Sequence, residues 1–194
     1  MSDYPSLNQI KDELLMFSSN WSQFQDLANF VLKNDDFYLW SGSGHQGQHH
    51  YGDGGLSKHV WEVVKLQEAN IKFLAQVDKS PNRCDAFFAA LFHDIGKLYD
   101  YSKIDGVWQK NIHCRKFHHI SRSALVWNEE SKKIGYPEEN REEVLHAILS
   151  HHGQRDWGSP VAPATNLAWL LHLCDGISAR TEDCSTWDRY SSRK

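Results

Sequence analysis

The chain has 194 residues, of which 40% are hydrophobic, and its 21 basic and 25 acidic side chains give a formal net charge of −4. This length predicts one compact domain, or one domain with a small appendage. The charge argues against a general nucleic-acid coat and a polybasic membrane binder, and no apolar run is long enough to predict a transmembrane helix. No signal peptide is visible at the start, so we expect a cytoplasmic protein.

The first half of the chain is predicted to form helices separated by a glycine-rich loop. Apolar residues recur at helical spacing over 7–33 and again over 57–77. Between these segments, residues 41–55 contain repeated glycines, which predicts a loop. Residues 85–98 are apolar almost throughout up to His93, and this run predicts a buried central helix.

The second half is predicted to begin with a small hairpin. Asp105 and Gly106 lie between two strand-like runs, and such a pair indicates a hairpin turn, here within about 98–113. Helices are predicted over 119–133, 138–151 and 163–180. We therefore predict an all-α fold, a single helical bundle with one small β-hairpin. The predicted organisation is a helical N-terminal extension packing on the core (1–44), the main domain (45–180) and a polar C-terminal tail (181–194).

Five of the 12 histidines, together with two aspartates, indicate a metal site. These groups lie at the ends or on the apolar faces of predicted helices: His59, His93, Asp94, His119, His151, His152 and Asp175. An imidazole or carboxylate in such surroundings must be paired, hydrogen-bonded or metal-bound, because burying it alone is costly. Imidazole and carboxylate ligands suit divalent Mn, Fe, Co, Ni or Zn. No cysteine lies in a CxxC pair, so a zinc finger is not expected.

The number of candidate ligands predicts two metal ions. One carboxylate can bridge two ions about 3.5–4 Å apart, and a hydroxide between them is a nucleophile at neutral pH. Asp94 follows a histidine that can hold one ion, so we predict that Asp94 is the bridge. The expected reaction is attack of this hydroxide on a phosphoryl group whose charge both ions neutralise.

The order of these residues resembles that of the HD superfamily of metal-dependent phosphohydrolases. Residues 93–97, HDIGK, are similar to the family's HDxGK, and residues 150–153 match its SHHG. Residues 49–59 resemble the HHxxxGGLxxH entry of one branch, the YhaM-type 3′→5′ exoribonucleases. The resemblance covers roughly residues 45–180 and implies the helical HD-domain fold.

The resemblance also implies a role for each residue. The first ion would be bound by His59, His93, Asp94 and Asp175, and the second by Asp94, His119, His151 and His152. Asp94 and Lys97 would be the catalytic residues, with Lys97 holding a phosphate oxygen or stabilising developing charge. His118 could exchange roles with its neighbour His119, although the family pattern favours His119. We expect manganese as the cofactor, with Fe, Ni, Co and Zn as alternatives.

The expected activity is that of a phosphodiesterase or nuclease acting on a nucleotide, a short oligonucleotide or a single-stranded nucleic acid. YhaM-type enzymes carry an N-terminal OB fold, for which residues 1–44 are too few and too helical. This difference favours a short substrate, or an OB module supplied by a partner protein; an oligomer is also possible. The candidate substrate contacts are His50, Arg115, Lys116, Arg155 and Trp157. We interpret Trp157 and Trp108 as stacking candidates, and Trp61, Trp127 and Trp169 as core residues.

Three alternatives remain open. The protein could be a nucleotide phosphomonoesterase or (d)NTP phosphohydrolase, a di-iron HD oxygenase, or a nucleotide-binding HD module without catalysis. The adjacent His151 and His152 favour hydrolysis over oxygenation. The complete ligand set favours an enzyme over a binding module.

Overall fold

The computed structural model describes residues 4–181, so the predicted tail beyond Thr181 lies outside the described residues. Within this range the chain is mainly helical and contains one two-stranded hairpin, which confirms the predicted all-α class. The helices are α1 (Leu7–Ser18), α2 (Gln25–Leu32), α3 (Asp35–Leu39), α4 (Gly55–Leu74), α5 (Arg83–Phe92), α6 (Lys97–Asp100), α7 (Ile112–Lys116), α8 (His118–Lys133), α9 (Glu138–Ser150) and α10 (Asn166–Thr181). The strands are β1 (Tyr101–Ile104) and β2 (Val107–Lys110). The division into 1–44, 45–180 and 181–194 stays a prediction.

Helix α5 lies at the centre of the hydrophobic core. Every residue from Cys84 to Phe92 is buried, and the helix contacts α2, α4, α8, α9 and α10. The side chain of Asn82 caps the helix by accepting hydrogen bonds from the backbone N–H groups of Cys84 and Asp85. Because α5 is central, its C-terminal end carries the following polar residues into the interior of the molecule.

The predicted helix over 85–98 is interrupted after Phe92, and α6 begins at Lys97. The interruption brings Gly96 against the backbone of α8. A Cβ atom on Gly96 would lie 2.2 Å from the carbonyl oxygen of His119, so only glycine permits this approach. The N–H of Gly96 also donates to Ser123 Oγ at 2.9 Å. These contacts hold the segment that contains Asp94 beside the start of α8.

The helices before the glycine-rich loop share the same core. Helices α1 and α3 contact α4, and α2 contacts α5. Ile10, Leu14, Leu27 and Val31 are fully buried or nearly so, and they supply the apolar stripes of α1 and α2. Among the described residues, no helix combines the length and apolar character needed to cross a membrane.

The hairpin is confirmed, but Trp108 within it is not available for stacking. Strands β1 and β2 pair antiparallel, and Asp105 and Gly106 both have positive φ angles, 51° and 79°, as the turn requires. The Trp108 side chain is only 6% exposed, and its indole N–H donates to Asp53 at 2.7 Å. Our interpretation of Trp108 as a stacking residue was therefore wrong.

Candidate metal centre

The seven candidate ligands come from five parts of the fold and converge on one point. Helix α4 contributes one, the segment after α5 two, the start of α8 one, the end of α9 two and α10 one. Three groups of three residues have ligand atoms within 4.8 Å of one another, and one of them, His93, Asp94 and His151, shares a residue with each of the other two. The first cluster is His59, His93 and Asp175, and the second cluster is His119, His151 and His152.

Asp94 lies between the two clusters, with one carboxylate oxygen facing each. Its Oδ2 is 3.3 Å from His59 Nε2 and 3.4 Å from His93 Nε2. Its Oδ1 is 3.4 Å from His119 Nε2 and 3.7 Å from His151 Nε2. The carboxylate is therefore oriented as a bridge between two ions would be.

Hydrogen bonds on the outer side of the rings fix the tautomers of three imidazoles. These rings donate from Nδ1 to backbone carbonyl oxygens at 2.7–2.8 Å: His93 to Ala90, His151 to Ile148 and His152 to Trp157. Since a carbonyl oxygen only accepts, each Nδ1 carries a hydrogen, and in the neutral ring it is Nε2 that has the lone pair. The lone pairs are thus available to a metal ion.

His59 is held by a hydrogen-bond chain through α10. Its Nδ1 donates to Ser178 Oγ at 2.9 Å, and the hydroxyl of Ser178 donates to Glu62 Oε2 at 2.6 Å. Glu62 is also 3.1 Å from His50 Nε2. Burial opposes ionisation of Glu62, but its bonds to His50, Ser178 and Tyr4 outweigh this and lower its pKa to about 2. An ionised carboxylate thus directs the orientation of His59.

The carboxylate of Asp100 lies near the Nδ1 side of His119, but it is not hydrogen-bonded to the ring as the support of His59 is. Its Nδ1 lies 3.7 Å from Asp100 Oδ2, which is longer than a hydrogen bond. Asp100 Oδ1 accepts a hydrogen bond from His113 Nδ1 at 2.7 Å, and Arg122 donates to the other nitrogen of His113 at 3.1 Å. Asp100 is therefore fixed in position without bonding directly to the His119 ring.

Two buried atoms show that this donor set fits a cation. Among the described residues, Asp94 Oδ1 and His151 Nε2 are buried without a hydrogen-bond partner, although they lie 3.7 Å apart. Both are acceptors, and burial keeps the pKa of His151 well below its usual value, so protonation does not resolve the conflict. A metal ion would satisfy both atoms, and a nitrogen and carboxylate set suits divalent transition metals.

The ionisable groups around Asp94 and Asp175 have pKa values shifted in different directions. Burial opposes protonation of His59, but the hydrogen bonds that it donates to Asp175 and Asp94 raise its pKa to about 9. Burial lowers the pKa of His119 to about 3. Lys97 Nζ lies 2.6 Å from Asp94 Oδ2, and its charge helps to hold the pKa of Asp94 well below the usual value despite burial.

A cavity of about 270 Å³ opens beside the clusters, and only some of the predicted substrate residues line it. Trp157 lines this cavity with its side chain 51% exposed. Arg155 is exposed in the same short turn, whereas Arg115 and Lys116 are exposed on α7 and do not line the cavity. His50 is buried against Glu62, and its neighbour His49 lines the cavity instead.

His118 and His119 are placed differently relative to Asp94. His118 has a φ of 61°, and its ring lies beside that of His119, with centroids 4.2 Å apart. His119 is the one of the two whose nitrogen approaches Asp94.

Our interpretation of Trp169 as a core residue was wrong, because its side chain is 50% exposed, while Trp127 is fully buried as expected.

Sequence reasoning missed the groups that support the ligands, although their spacing carried a signal. Glu62 lies three residues after His59, and Ser178 lies three residues after Asp175. Side chains three apart on a helix share a face, so both are placed beside a ligand. His172, three residues before Asp175, donates from Nδ1 to the carbonyl oxygen of His151 at 2.7 Å.

Comparison with known proteins identifies relatives with a named activity. The chain is 31% identical over 180 residues to the 3′-5′ exoribonuclease YhaM of Shouchella clausii (strain KSM-K16), covering 89% of this chain and 53% of that protein. It is 28% identical over 178 residues to the protein of the same name from Bacillus subtilis (strain 168), covering 89% of this chain and 54% of that one. The chain spans about half the length of the curated relatives it matches. No solved structure gives a significant match.

The family model of the HD domain matches residues 56–180. This range contains every member of the two clusters, as well as Asp94 and Lys97. The helical architecture with a single small hairpin agrees with the match. The chain belongs to the HD domain family.

Proposed function

We propose that this chain hydrolyses phosphodiester bonds in a nucleotide, a short oligonucleotide or a single-stranded nucleic acid, using two divalent transition-metal ions. Membership of the HD family and the relatives named exoribonucleases support a metal-dependent phosphoester hydrolase. We further propose that the centre holds two ions, that the ions are manganese and that the bond cleaved is a diester.

The observation that carries the proposal is the orientation of Asp94. Each of its oxygens faces a different cluster at 3.3–3.7 Å from imidazole nitrogens. The first ion would be held by the first cluster and Asp94, and the second ion by the second cluster and Asp94. Such ions supply a nucleophilic water at neutral pH and neutralise charge on a phosphoryl group.

The residues of the chain position and neutralise the substrate. Burial opposes the charge on Lys97, but Asp94 raises its pKa, so the ammonium group remains charged while lining the cavity. It can therefore bind an unesterified oxygen of the phosphate. Burial lowers the pKa of His49 to about 4, so this imidazole faces the same cavity in its neutral form. We propose that Lys97 binds the phosphate.

The test compares a diester with a monoester. Bis-p-nitrophenyl phosphate and p-nitrophenyl phosphate are each incubated with the protein and Mn, Ni, Co, Zn or Mg. We expect metal-dependent hydrolysis of the diester, and a roughly 1,000-fold or greater loss in Asp94→Asn, because both ions lose a shared ligand. The matched control is Asp85→Asn, which changes an equally buried carboxylate that hydrogen-bonds Tyr136 and Asn140 away from the clusters.

The outcomes separate the competing functions. Hydrolysis of the monoester alone would replace the proposal with a nucleotide phosphatase. Absence of hydrolysis, with iron in the purified protein, would favour the di-iron oxygenase. Activity that survives in Asp94→Asn, measured below its melting temperature, would contradict the proposed role of Asp94.

A further inference from the structure

The cavity beside the metal centre is lined by two chemically different sets of groups. One set is polar and lies at the metal clusters, among them Lys97, His152 and Asp175. The other set contains the indole of Trp157 together with Gly176 and Ala179 of α10. A phosphate suits the first set, and a flat apolar group suits the second.

The position of Trp157 is coupled to the metal centre through its own backbone. The carbonyl oxygen of Trp157 accepts the hydrogen bond from His152 Nδ1 at 2.7 Å. The turn that carries it ends at Gly158, which has a φ of 99°. The indole therefore projects from a residue whose main chain touches a candidate ligand.

The exposed indole also has partners that hold its orientation. The imidazole of His172 lies at a centroid distance of 6.4 Å and an angle of 31° to the indole. The guanidinium of Arg180 lies 5.8 Å from the ring centroid, within the range of a cation–π contact. The ring is thus placed at the cavity although about half of its surface is exposed.

A second, more apolar groove adjoins the cavity along α10. This groove, of about 600 Å³, shares Trp157, His172 and Gly176 with the first cavity and is also lined by Leu173 and Ile177. Leu173 and Ile177 are 56% and 44% exposed. The indole therefore borders both the cavity at the metal centre and an apolar helix face.

We propose that Trp157 and the adjoining face of α10 form a nucleobase subsite beside the scissile phosphate. The base of the nucleotide bonded to that phosphate stacks on the indole while the phosphate lies at Lys97. This subsite rests on the proposed phosphodiesterase function and assigns recognition of the base to Trp157. Since every base has a π face, stacking accepts all four bases and rejects a diester that has none.

The test uses two substrates that differ only in the base. They are the p-nitrophenyl esters of thymidine 5′-phosphate and of abasic deoxyribose 5-phosphate, which release the same chromophore. We expect the wild-type enzyme to prefer the thymidine ester in kcat/KM by roughly 10-fold or more, as loss of one stack implies. Trp157→Ala should remove the preference by slowing only the thymidine ester, and Trp157→Phe should retain most of it.

Trp169→Ala is the matched control, because this indole is equally exposed but does not line the cavity at the metal centre. It should leave the preference unchanged. Calorimetric titration with thymidine 5′-monophosphate, which needs no turnover, should show weaker binding in Trp157→Ala than in Trp169→Ala. Equal rates for both esters in the wild-type enzyme, or an unchanged preference in Trp157→Ala, would overturn the subsite. Hydrolysis of neither ester would instead contradict the proposed function.

Discussion

The two clusters that face Asp94 use the same kind of imidazole but differ in their negative charge. The first cluster contains the carboxylate of Asp175, and its His59 is linked through Ser178 to the ionised Glu62. The second cluster consists of three imidazoles, and two of them donate to backbone carbonyls. Asp94 is the carboxylate that it shares with the first.

This difference changes how each cluster should hold a cation. A carboxylate contributes a full negative charge to a divalent ion, whereas a neutral imidazole contributes only its lone pair. The rings of His59 and His119 differ in the same direction, since bonds to carboxylates outweigh burial and raise the pKa of His59 to about 9, whereas burial lowers that of His119 to about 3. We infer that the first cluster binds its ion more tightly and that the second depends more on Asp94.

The largest expected effect comes from removing the carboxylate that the clusters share. Asp94→Asn should lose both ions, whereas Asp175→Asn should weaken binding mainly at the first cluster. Inductively coupled plasma mass spectrometry of the manganese-loaded proteins after gel filtration measures the number of ions that each variant retains. Two ions retained by Asp94→Asn would show that the clusters bind independently.

A smaller effect distinguishes the clusters directly. A chelator added stepwise to the loaded wild-type protein should remove the second-cluster ion first, because that cluster has no carboxylate of its own. In His152→Ala the more weakly held ion should be absent, and one tightly held ion should remain. Calorimetric titration with Mn²⁺ gives the affinities. Two equal affinities in the wild-type protein would contradict the asymmetry.

Removing Glu62, the carboxylate that supports His59, should lower the metal affinity of the first cluster less than removing a ligand does. Glu62→Ala removes the acceptor behind Ser178, so His59 loses its fixed orientation, and the metal affinity of the first cluster should fall about 10- to 100-fold. Glu68→Ala is the matched control, since Glu68 lies on the same helix but pairs with Arg83 at the surface. An equal loss of affinity in both variants would indicate a general effect on α4.

The smallest effect concerns the stability of the metal-free protein in acid. The folded state lowers the pKa of Glu62 from 4.5 to about 2, so its contribution is complete above pH 4.5 and is lost as the pH falls towards 2. The difference in unfolding free energy between wild type and Glu62→Gln should therefore shrink over this interval. Chemical denaturation at a series of pH values measures it. A difference that is independent of pH would contradict the assigned ionisation.

Local sequence signals predicted the elements, and the family resemblance predicted which polar residues would meet. The hairpin follows from Asp105 and Gly106 alone, because few other pairs adopt two positive φ angles readily. The end of the buried helix near His93 and Asp94 was predicted, but the close approach of Gly96 to α8 was not. That contact joins residues far apart in the chain and leaves no local pattern.

The surroundings of the site were predicted less well than the convergence of the candidate ligands. His50 was expected to contact substrate, but the loop buries it against Glu62 and turns His49 towards the cavity. Adjacent residues in a loop have no fixed periodicity, so the sequence does not decide which of the two faces the site. Trp108 was expected to be exposed and is buried, whereas Trp169 was expected to be buried and is half exposed. The sequence does not decide this, because packing between distant elements determines the burial of both side chains.

The proposed two-metal centre depends most on Asp94 bridging two ions, and electron paramagnetic resonance of the manganese-loaded protein tests this directly. Two Mn²⁺ ions that share a carboxylate are magnetically coupled, so we predict a coupled spectrum in the wild-type protein at full loading. The coupling should disappear in Asp94→Asn. A wild-type spectrum of isolated Mn²⁺ ions at full loading would contradict the bridge and, with it, the proposed two-metal centre.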